Sequence, residues 1–403
     1  MKKPKIRFKG FTETWEQRKL GDIVDRVTRR NTGLISNLPL TISAQYGLID
    51  QNVFFDRRVA SKDISGYYLI NNGEFAYNKS TSVDAPWGAI KRLNRYENGV
   101  LSTLYIVFKI KNNNDVNSDF LVSYYDTNIW HKGISEIATE GARNHGLLNI
   151  SPNDFFLTRL FIPCMIKEQE QIGSLFSKLD NLITLHQRKC ENLKKLKKFM
   201  LQKMFPQNGE NVPKVRFLNY TDTWEQRKLG EVFNERTERA KGNEELLSVT
   251  INNGVIRQID SDKRNIASED KSNYKIVQIG DVPYNSMRMW QGAVGNSEYN
   301  GIVSPAYTVL VPSTNADSKF FVELFKKNST LNIFQRWSQG LTSDTWNLKY
   351  PILSKIEFYM PMIDEQKKIG SLFSKLDNLI TLHQSKCDKL KEVKKYMLQN
   401  MFI

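Results

Sequence analysis

Cysteine is scarce in this sequence: Cys164, Cys190 and Cys387 are the three in 403 residues, and an odd, sparse set provides no disulfide framework. This usage is typical of a reducing compartment, so we expect a cytoplasmic protein. No run of 18 apolar residues occurs, which argues against a membrane-spanning helix. The basic start, MKKPKIRFKGF, is not followed by an apolar core and therefore differs from a secretory signal peptide.

Motifs of nucleotide-binding and methyl-transfer enzymes are also missing. The sequence has no GxxxxGK[ST] phosphate loop, no GxGxxG turn and no Asn-Pro-Pro-aromatic motif. Two of the four histidines, His186 and His383, precede Cys190 and Cys387 by four residues, a spacing that two metal ligands on a helix can have. Two ligands without a nearby carboxylate make a weak metal site, and packing in a helix seam is the simpler interpretation. We therefore predict neither a catalytic site nor a metal site.

Positive charge is the main excess. The 58 Lys and Arg outnumber the 43 Asp and Glu, which gives a formal net charge of +15. This balance favours a polyanionic partner, with nucleic acid as the leading candidate, although ribosomal and membrane-surface proteins show it too. The length and an apolar fraction of 40% allow two or more domains with their own cores.

One repeat organises the whole sequence. The sixteen residues IGSLFSKLDNLITLHQ occur at Ile172–Gln187 and again, unchanged, at Ile369–Gln384. TWEQRKLG occurs at Thr14–Gly21 and at Thr223–Gly230, and the segment PKIRF before the first copy returns as PKVRF before the second. Two copies are too few for a solenoid, so we predict two similar halves related by a pseudo-twofold axis.

The repeated sixteen residues lie in proline-free stretches, Glu168–Phe205 and Glu365–Phe402, in which apolar residues recur with heptad spacing. Two such helices can pair antiparallel, and helices of equal length would then bring His186 and His383 together near their midpoints. Packing of each helix on its own globular domain is the alternative. The predicted seam residues are Ile172, Leu175, Leu179, Leu182, His186, Leu193, Leu196 and Met200, with Ile369, Leu372, Leu376, Leu379, His383, Leu390, Val393 and Met397 at the equivalent positions.

Between the repeated segments, the two variable regions look like mixed α and β structure. The runs Leu104–Ile110 and Tyr307–Pro312 are rich in β-forming residues, and Gly, Asn and Pro clusters interrupt both regions. We predict an α+β fold in which two similar α/β domains are joined by two long antiparallel helices, a coiled-coil spacer. The predicted boundaries are 1–163 for the N-terminal domain, 164–205 for the first helix, 206–213 for a linker, 214–361 for the C-terminal domain and 362–403 for the second helix.

This layout resembles the specificity subunit of type I restriction-modification enzymes, the HsdS family. The residues that carry the resemblance are the two TWEQRKLG segments, the two repeated helices, and the Pro-x-x-x-x-Glu-Gln junction at Pro163–Gln169, which returns one residue shorter at Pro361–Gln366. The resemblance covers essentially the whole chain. The variable regions carry no family motif, because in that family they differ with the target sequence.

The resemblance implies that each α/β domain is a target recognition domain that reads half of a bipartite, asymmetric site in double-stranded DNA. The helices would set the spacing of the half-sites and dock two modification subunits, which carry S-adenosylmethionine and the methyltransferase chemistry. Separate restriction subunits would hydrolyse ATP with Mg²⁺, so that this chain would be no enzyme and hold no cofactor. The alternative function is a stand-alone DNA-binding regulator or a structural nucleic-acid-binding protein.

Two loops in each half have residue types that read base edges. The first loop follows an aligned Tyr-Asn pair, and the second is a polar turn with a glycine hinge. An ordinary hairpin with a buried tyrosine and a plain surface turn are the alternatives to a reading role. The predicted DNA-binding residues are Tyr77, Asn78, Lys79, Ser80, Arg143, Asn144 and His145 in the first half, and Tyr284, Asn285, Ser286, Arg288, Trp290, Thr342, Ser343 and Asp344 in the second.

Overall fold

The chain forms two compact units in a computed structural model that describes residues 3–43, 46–83, 85–138, 146–207, 209–242, 244–261 and 270–403. Unit 1 comprises Met1–His186 together with Lys386–Ile403, and unit 2 comprises Gln187–Ser385. Each unit therefore combines one of the two predicted recognition domains with parts of both long helices. Within the described ranges, no helix has both the length and the apolarity that a bilayer crossing requires.

The recognition domain of unit 1 alternates short strands with short helices and leads into a long helix. In chain order the elements are β1 (Glu16–Lys19), α1 (Leu20–Ile23), β2 (Val24–Val27), β3 (Leu40–Ser43), β4 (Gly47–Asp50), α2 (Gln51–Phe55), β5 (Tyr68–Asn71), β6 (Phe75–Asn78), β7 (Ala89–Arg92), β8 (Asn98–Leu101), β9 (Ile106–Ile110), α3 (Ser118–Tyr125), α4 (Trp130–Ile137), α5 (Pro152–Leu157), β10 (Arg159–Ile162) and the long helix α6 (Ile166–Lys203).

The main sheet of this domain has the strand order β2-β9-β6-β7, and each neighbouring pair is antiparallel. Successive side chains of β6 point to opposite faces, as the pleat of a strand requires. Phe75 and Tyr77 pack with Phe108 in one core, whereas Ala76 packs with Val107 in a second core. Because both faces of the sheet are covered, β6 is apolar from Phe75 to Tyr77 instead of alternating with polar residues.

Unit 2 repeats this architecture. In chain order its elements are β11 (Glu225–Lys228), α7 (Leu229–Val232), β12 (Phe233–Glu235), β13 (Leu247–Thr250), β14 (Gly254–Arg257), β15 (Lys275–Val277), β16 (Val282–Asn285), β17 (Gly301–Val303), β18 (Tyr307–Pro312), α8 (Ser318–Phe325), α9 (Asn328–Trp337), α10 (Tyr350–Leu353), β19 (Glu357–Met360) and the long helix α11 (Ile363–Met401). Its main sheet, β12-β18-β16, is again antiparallel and again lies between two cores.

The two long helices run antiparallel, as the sequence predicts. In unit 1, Lys394 of α11 forms an ion pair with Asp180 of α6, and Phe402, which follows α11, contacts Phe176. A later residue on one helix therefore meets an earlier residue on the other. Unit 2 shows the equivalent contacts with the roles of the helices exchanged, namely Lys197 with Asp377 and Phe205 with Phe373.

The predicted seam is wrong in part. Leu182 and Leu196, together with their counterparts Leu379 and Val393, are exposed, whereas Ile183, Cys190 and Cys387 are buried. Each helix carries two apolar stripes whose members lie one residue apart, and one stripe alone can face the partner helix. The seam predicted from the heptad spacing mixes residues of the two stripes. In the second half of α6 the inward positions include Cys190 and Lys197 rather than leucine, so the spacing of leucines alone does not identify them.

The helix register gives each seam histidine a carboxylate-bearing residue opposite it. Continuing the Asp180–Lys394 register within unit 1 places Asp388 opposite His186. Continuing the Lys197–Asp377 register within unit 2 likewise places Glu191 opposite His383. The proximity of the two imidazoles stays a prediction.

The far end of each long helix completes the core of a recognition domain. Phe402 packs against Trp15 and Phe120 in unit 1, and the Ile6 amide donates to the Asn400 carbonyl oxygen at 2.9 Å. In unit 2, Phe205 packs against Trp224, and the Val215 amide donates to the Lys203 carbonyl oxygen at 2.9 Å. These contacts explain why each copy of the helix ends in the same Met-Phe pair.

The remaining repeated motifs meet at the start of each long helix. Arg7 of PKIRF donates to both carboxylate oxygens of the buried Glu168, at 2.6 and 2.8 Å, and the Trp15 indole lies 3.4 Å from the same carboxylate. Arg216 and Glu365 form the same bidentate pair in unit 2, with both distances 2.7 Å. The segments that are most conspicuous in the sequence are therefore structural and lie in the body of each unit.

Candidate nucleic-acid interface

The same turn follows the Tyr-Asn pair in both recognition domains. In unit 1, β6 ends at Asn78, whose Oδ1 accepts a hydrogen bond from the Ser80 amide at 3.0 Å. In unit 2, β16 ends at Asn285, whose Oδ1 accepts one from the Met287 amide at 3.0 Å. An Asn that binds the backbone two residues on makes a rigid Asx turn. Each turn therefore sets the direction in which the first predicted loop leaves its sheet.

Three of the predicted DNA-binding residues are buried, so their side chains cannot reach a DNA groove. Tyr77 is 0% exposed, its ring stacks on Phe155, and its hydroxyl donates to a carbonyl oxygen of Trp87 at 2.9 Å. Tyr284 is also 0% exposed, and burial raises the pKa of its phenol as it does that of Tyr77. Ser286 is buried as well. The reading role predicted for these three residues is wrong, because alternation along the strand turns both tyrosines into a core.

The next residues of the first loop lie nearer the surface. Lys79 is half-buried, its ammonium donates to the Ile150 carbonyl oxygen at 3.3 Å, and burial lowers its pKa. Ser80 is exposed, and so is Arg288 in unit 2. Trp290 is half-buried with its indole nitrogen bonded to a backbone oxygen. Among these residues, Ser80 and Arg288 have side chains that are free to reach outward from their domains.

In unit 1 the first predicted loop pairs with the residues that follow the second. The Thr81 amide donates to the Gly146 carbonyl oxygen at 2.6 Å, and the Leu148 amide donates to the Lys79 carbonyl oxygen at 3.0 Å. The chain leaving the second loop therefore pairs with the chain of the first. Arg143, Asn144 and His145 lie outside the described residues.

The two loops of unit 2 also meet. The Leu348 amide donates to the Ser286 carbonyl oxygen at 2.9 Å, and the Trp290 and Trp346 rings make an edge-to-face contact at 5.2 Å. The tip of the second loop is exposed. Its predicted residues are Thr342, Ser343 and Asp344. In unit 2 the structure thus brings together the two loops that the sequence singled out separately.

An open groove of about 850 Å³ adjoins the first loop of unit 2. The hairpin β13–β14 forms one wall, and Asn285 and Arg288 stand on the other. Several polar residues of this groove were not predicted from the sequence. The turn at Asn252 was interpreted only as a break between other elements, and the pairing of β13 with β14 leaves no signal in the local sequence. These residues are Asn252, Asn253, Gln258 and Gln291.

The groove combines the donors and acceptors that recognise base edges. Asn and Gln amides can bind adenine in two places at once, and an Arg guanidinium can do the same with guanine. Among the described residues, no group of three or more His, Cys, Asp or Glu side chains is placed to hold a metal ion. The surface is therefore suited to hydrogen-bonded recognition of a polyanion, with Arg288 as its exposed cation.

A second kind of surface lies on the long helices, where the apolar stripe left out of the seam is exposed. Leu182, Leu185, Leu196 and Phe199 of α6 are each more than 40% exposed. The equivalent residues of α11 are exposed to a similar degree, namely Leu379, Leu382, Val393 and Tyr396. Large apolar side chains that recur on one helix face at equivalent positions of a repeat mark an interaction surface.

Comparisons with known proteins agree on one family. Residues 221–392 match the model of the type I restriction modification DNA specificity domain. The type I restriction enzyme MjaVIII specificity subunit of Methanocaldococcus jannaschii is 21% identical over 414 residues, which cover 96% of this chain and 91% of that protein.

The fold has a solved counterpart of the same extent. The crystal structure of the type I restriction-modification system S subunit from M. genitalium superposes with a TM-score of 0.63 at 14% identity, covering 100% of this chain and 99% of that one. The family model matches one half of the internal repeat, and the architecture described above supplies the other half. In sequence and in fold the chain is similar to the specificity subunits of type I restriction-modification enzymes.

Proposed function

We propose that this chain directs a type I restriction-modification complex to a split DNA site, with each recognition domain reading one half. The observation that carries this proposal is the meeting of two polar loops in unit 2, next to a groove of hydrogen-bonding side chains. The net charge of +15 supports a DNA partner, because phosphates supply most of the affinity of such interfaces. The similarity to type I specificity subunits supports the bipartite form of the site.

Arg288 is the residue of unit 2 for which we propose direct contact with a base. Its side chain is exposed, borders the groove and stands three positions after Asn285, where the turn begins. Asn252 and Gln291 line the same groove and would recognise neighbouring bases. In unit 1, Ser80 is exposed and stands two positions after Asn78, the equivalent of Asn285, and it is the candidate in that domain.

We further propose that the chemistry resides in partner subunits. Two modification subunits would hold S-adenosylmethionine and methylate the DNA, restriction subunits would hydrolyse ATP with Mg²⁺, and the complex would act in the cytoplasm. The exposed apolar stripes are the docking surface that we assign to the modification subunits. Their equivalence in α6 and α11 supports two copies of one partner, because equivalent surfaces on a repeat fit equivalent proteins.

The reading role of Arg288 is tested with the complete methyltransferase complex, reconstituted from this chain and its modification subunits. Methylation-aware sequencing of DNA from cells that express the complex first defines the target. Arg288→Ala should then relax the preference at a base of one half-site by about 1–3 kcal/mol and leave the other half-site unchanged. Lys228→Ala, which removes one positive charge from an exposed position on β11, is the control and should keep both half-sites.

Two outcomes would contradict the assignment. Uniform weakening of all sequences, together with a flatter dependence on salt, would mean that Arg288 binds phosphate and not a base. A change in both half-sites would show that the domains are not independent readers. Exchange of residues around 15–160 for the domain of a relative provides a second check, because it should alter one half of the recognised sequence only.

The docking role is tested by replacing Leu185 and Leu382, the equivalent residues of the two stripes, with Glu. Because both side chains are already exposed, the free subunit should keep its fold. The double variant should no longer co-purify with modification subunits, and each single variant should bind one copy. Thr184→Glu, on an exposed neighbouring residue, is the control. Undiminished assembly of the double variant would exclude these stripes, and tight split-site binding by the subunit alone would favour a stand-alone DNA-binding protein.

A further inference from the structure

A buried lysine joins both long helices to the recognition domain in unit 1. The ammonium of Lys394 on α11 donates to Asp180 of α6 at 2.7 Å and to Asp126 of the recognition domain at 2.8 Å. Lys91 reaches the other oxygen of Asp126 at 2.6 Å. The side chain of Lys394 is 17% exposed, so water competes little for its three donors.

Unit 2 contains the equivalent cluster. The ammonium of Lys197 on α6 donates to Asp377 of α11 at 2.6 Å and to Glu323 of the recognition domain at 3.1 Å. The lysines occupy equivalent positions of the repeat, and so do the helix aspartates. The acid from the recognition domain differs, because Asp126 follows α3 whereas Glu323 lies within α8. The lysine and the aspartate that the long helices contribute are therefore the same in both clusters. The acidic residue that the recognition domain contributes differs in type and in position.

Each cluster fixes the C-terminal part of a helix in the recognition domain. Other contacts with the long helix fix the N-terminal end of the same helix. The N-terminal end of α3 lies so close to α6 that a Cβ at Gly173 would be 2.7 Å from the Phe120 nitrogen. The Gln169 side chain there accepts from the Asn117 amide at 2.9 Å. Helix α8 makes the same contacts with Gly370 and Gln366. We name α3 and α8 the docking helices, since each is fixed to the spacer at both of its ends.

The electrostatics favour a single geometry. In unit 1 the burial of Asp126 would raise its pKa, but the charges of Lys91 and Lys394 outweigh it and hold the pKa below its usual value. A charged ammonium in a buried site is stable only where its acceptors stand at hydrogen-bonding distance. A shift of the docking helix along α6 would leave a buried charge without its partner, whereas an apolar contact would tolerate the shift.

We propose that Lys394 and Lys197 are positioning residues that fix each docking helix, and hence each recognition domain, in one register on the spacer, so that the complex accepts one distance between half-sites. This inference rests on the proposed function, because it concerns how accurately that function is performed. It also assigns a requirement to the variable domains: each must present a carboxylate at the C-terminal part of its docking helix. Buried polar groups that select one register at some cost in stability are known from paired helices.

The test uses the complete methyltransferase complex and duplexes that carry the target half-sites at the native separation or one base pair nearer or farther. Lys394→Met and Lys197→Met replace the ammonium with an apolar side chain of similar length. Each variant should lower the discrimination between the native and altered separations by about tenfold, the scale of one lost register-fixing contact. Lys395→Met, at the exposed neighbouring position, should leave discrimination unchanged.

A stability measurement separates positioning from simple support of the fold. Removing one partner of a buried ion pair is costly when the other charge is left alone. In Lys394→Met, however, Asp126 keeps its ion pair with Lys91 and Asp180 is 45% exposed to water, so the melting temperature should fall only slightly. If it does unfold unit 1, Asp180→Asn decides, since it leaves the buried Lys394–Asp126 pair intact and acts at a carboxylate that is 45% exposed. That variant should lose part of the discrimination while its fold is retained.

The effects of replacing Asp126 and Lys394 on discrimination should not add. The double variant Asp126→Asn with Lys394→Met should lose no more discrimination than Lys394→Met alone, because the same contact is already absent. Full discrimination in Lys394→Met and Lys197→Met, or in folded Asp180→Asn, would overturn the proposal. A wild-type complex without preference for any split site would instead refute the proposed function, so the two failures are distinguishable.

Discussion

Replacing Phe402 with Ala should destabilise unit 1 and spare unit 2. Phe402 is 5% exposed, and its ring lies 5.5–6.1 Å from the rings of Trp15, Phe120 and Phe176. Truncation of a Phe in such a site removes its transfer free energy and leaves a cavity, at a cost of about 3–5 kcal/mol. Because each tenfold change in an equilibrium constant corresponds to about 1.4 kcal/mol, opening of unit 1 should become more frequent by two to three powers of ten, roughly.

Hydrogen exchange measured by mass spectrometry checks this prediction, because it reports opening segment by segment. Peptides from β6 and β9 should lose protection in Phe402→Ala, and peptides from β16 and β18 should keep theirs. Phe205→Ala should give the reverse pattern, since Phe205 occupies the equivalent place in unit 2. Phe199→Ala, at a 49% exposed position, is the control and should change stability by less than about 0.5 kcal/mol. Equal loss of protection in both units would refute the assignment of Phe402 to one core.

Three other substitutions have defined outcomes. Glu168→Gln breaks the buried ion pair with Arg7 and should lower the unfolding free energy of unit 1, measured by chemical denaturation, by about 3–5 kcal/mol. Lys132→Ala, which removes an exposed ion pair with Glu136, is the control and should lower it by less than about 0.5 kcal/mol. Burial raises the pKa of Glu323, so unit 2 should gain exchange protection as the pH falls from neutral toward 4.5, and Glu323→Gln should abolish that gain. Gly173→Ala should lower the unfolding free energy by about 1–3 kcal/mol through overpacking, while Gly133→Ala, whose Cβ meets nothing nearer than 3.6 Å, should raise it by ~0.5–1 kcal/mol in thermal denaturation.

The architecture was predictable from the sequence because two copies of one segment are expected to form the same structure. Two identical sixteen-residue segments indicated two equivalent helices, and the antiparallel pair follows from their equivalence. The choice of seam was not predictable, because the inward stripe contains Cys190 and the charged Lys197. The ion pairs with Asp377 and Glu323 are what allow that lysine to face inward. Heptad counting ranks residues by apolarity and cannot anticipate a partner that stands 180 residues away.

The candidate interface was predictable as loops but not as side chains. The aligned Tyr-Asn pairs located the correct turns, yet the outward position was assigned to Tyr77 and Tyr284, which are core residues of a sheet covered on both faces. A strand covered on one face alone would have shown alternation and revealed the inward side. The groove residue Gln258 was not identified, because it joins the site through the pairing of β13 with β14, a contact that no local pattern encodes.

The placement of Phe402 in the core of unit 1 has a consequence for the order of folding during synthesis. Multidomain chains usually fold from the N-terminus as they are made. Here the ribosome has made every residue of unit 2, Gln187–Ser385, before it adds Phe402. Trp15 and Phe120 must therefore wait for a contact across nearly the whole chain, and such long-range closure is slow. We expect the C-terminal recognition domain to be finished first, while the N-terminal one remains open, with its aromatic core accessible to chaperones, until Phe402 has been made.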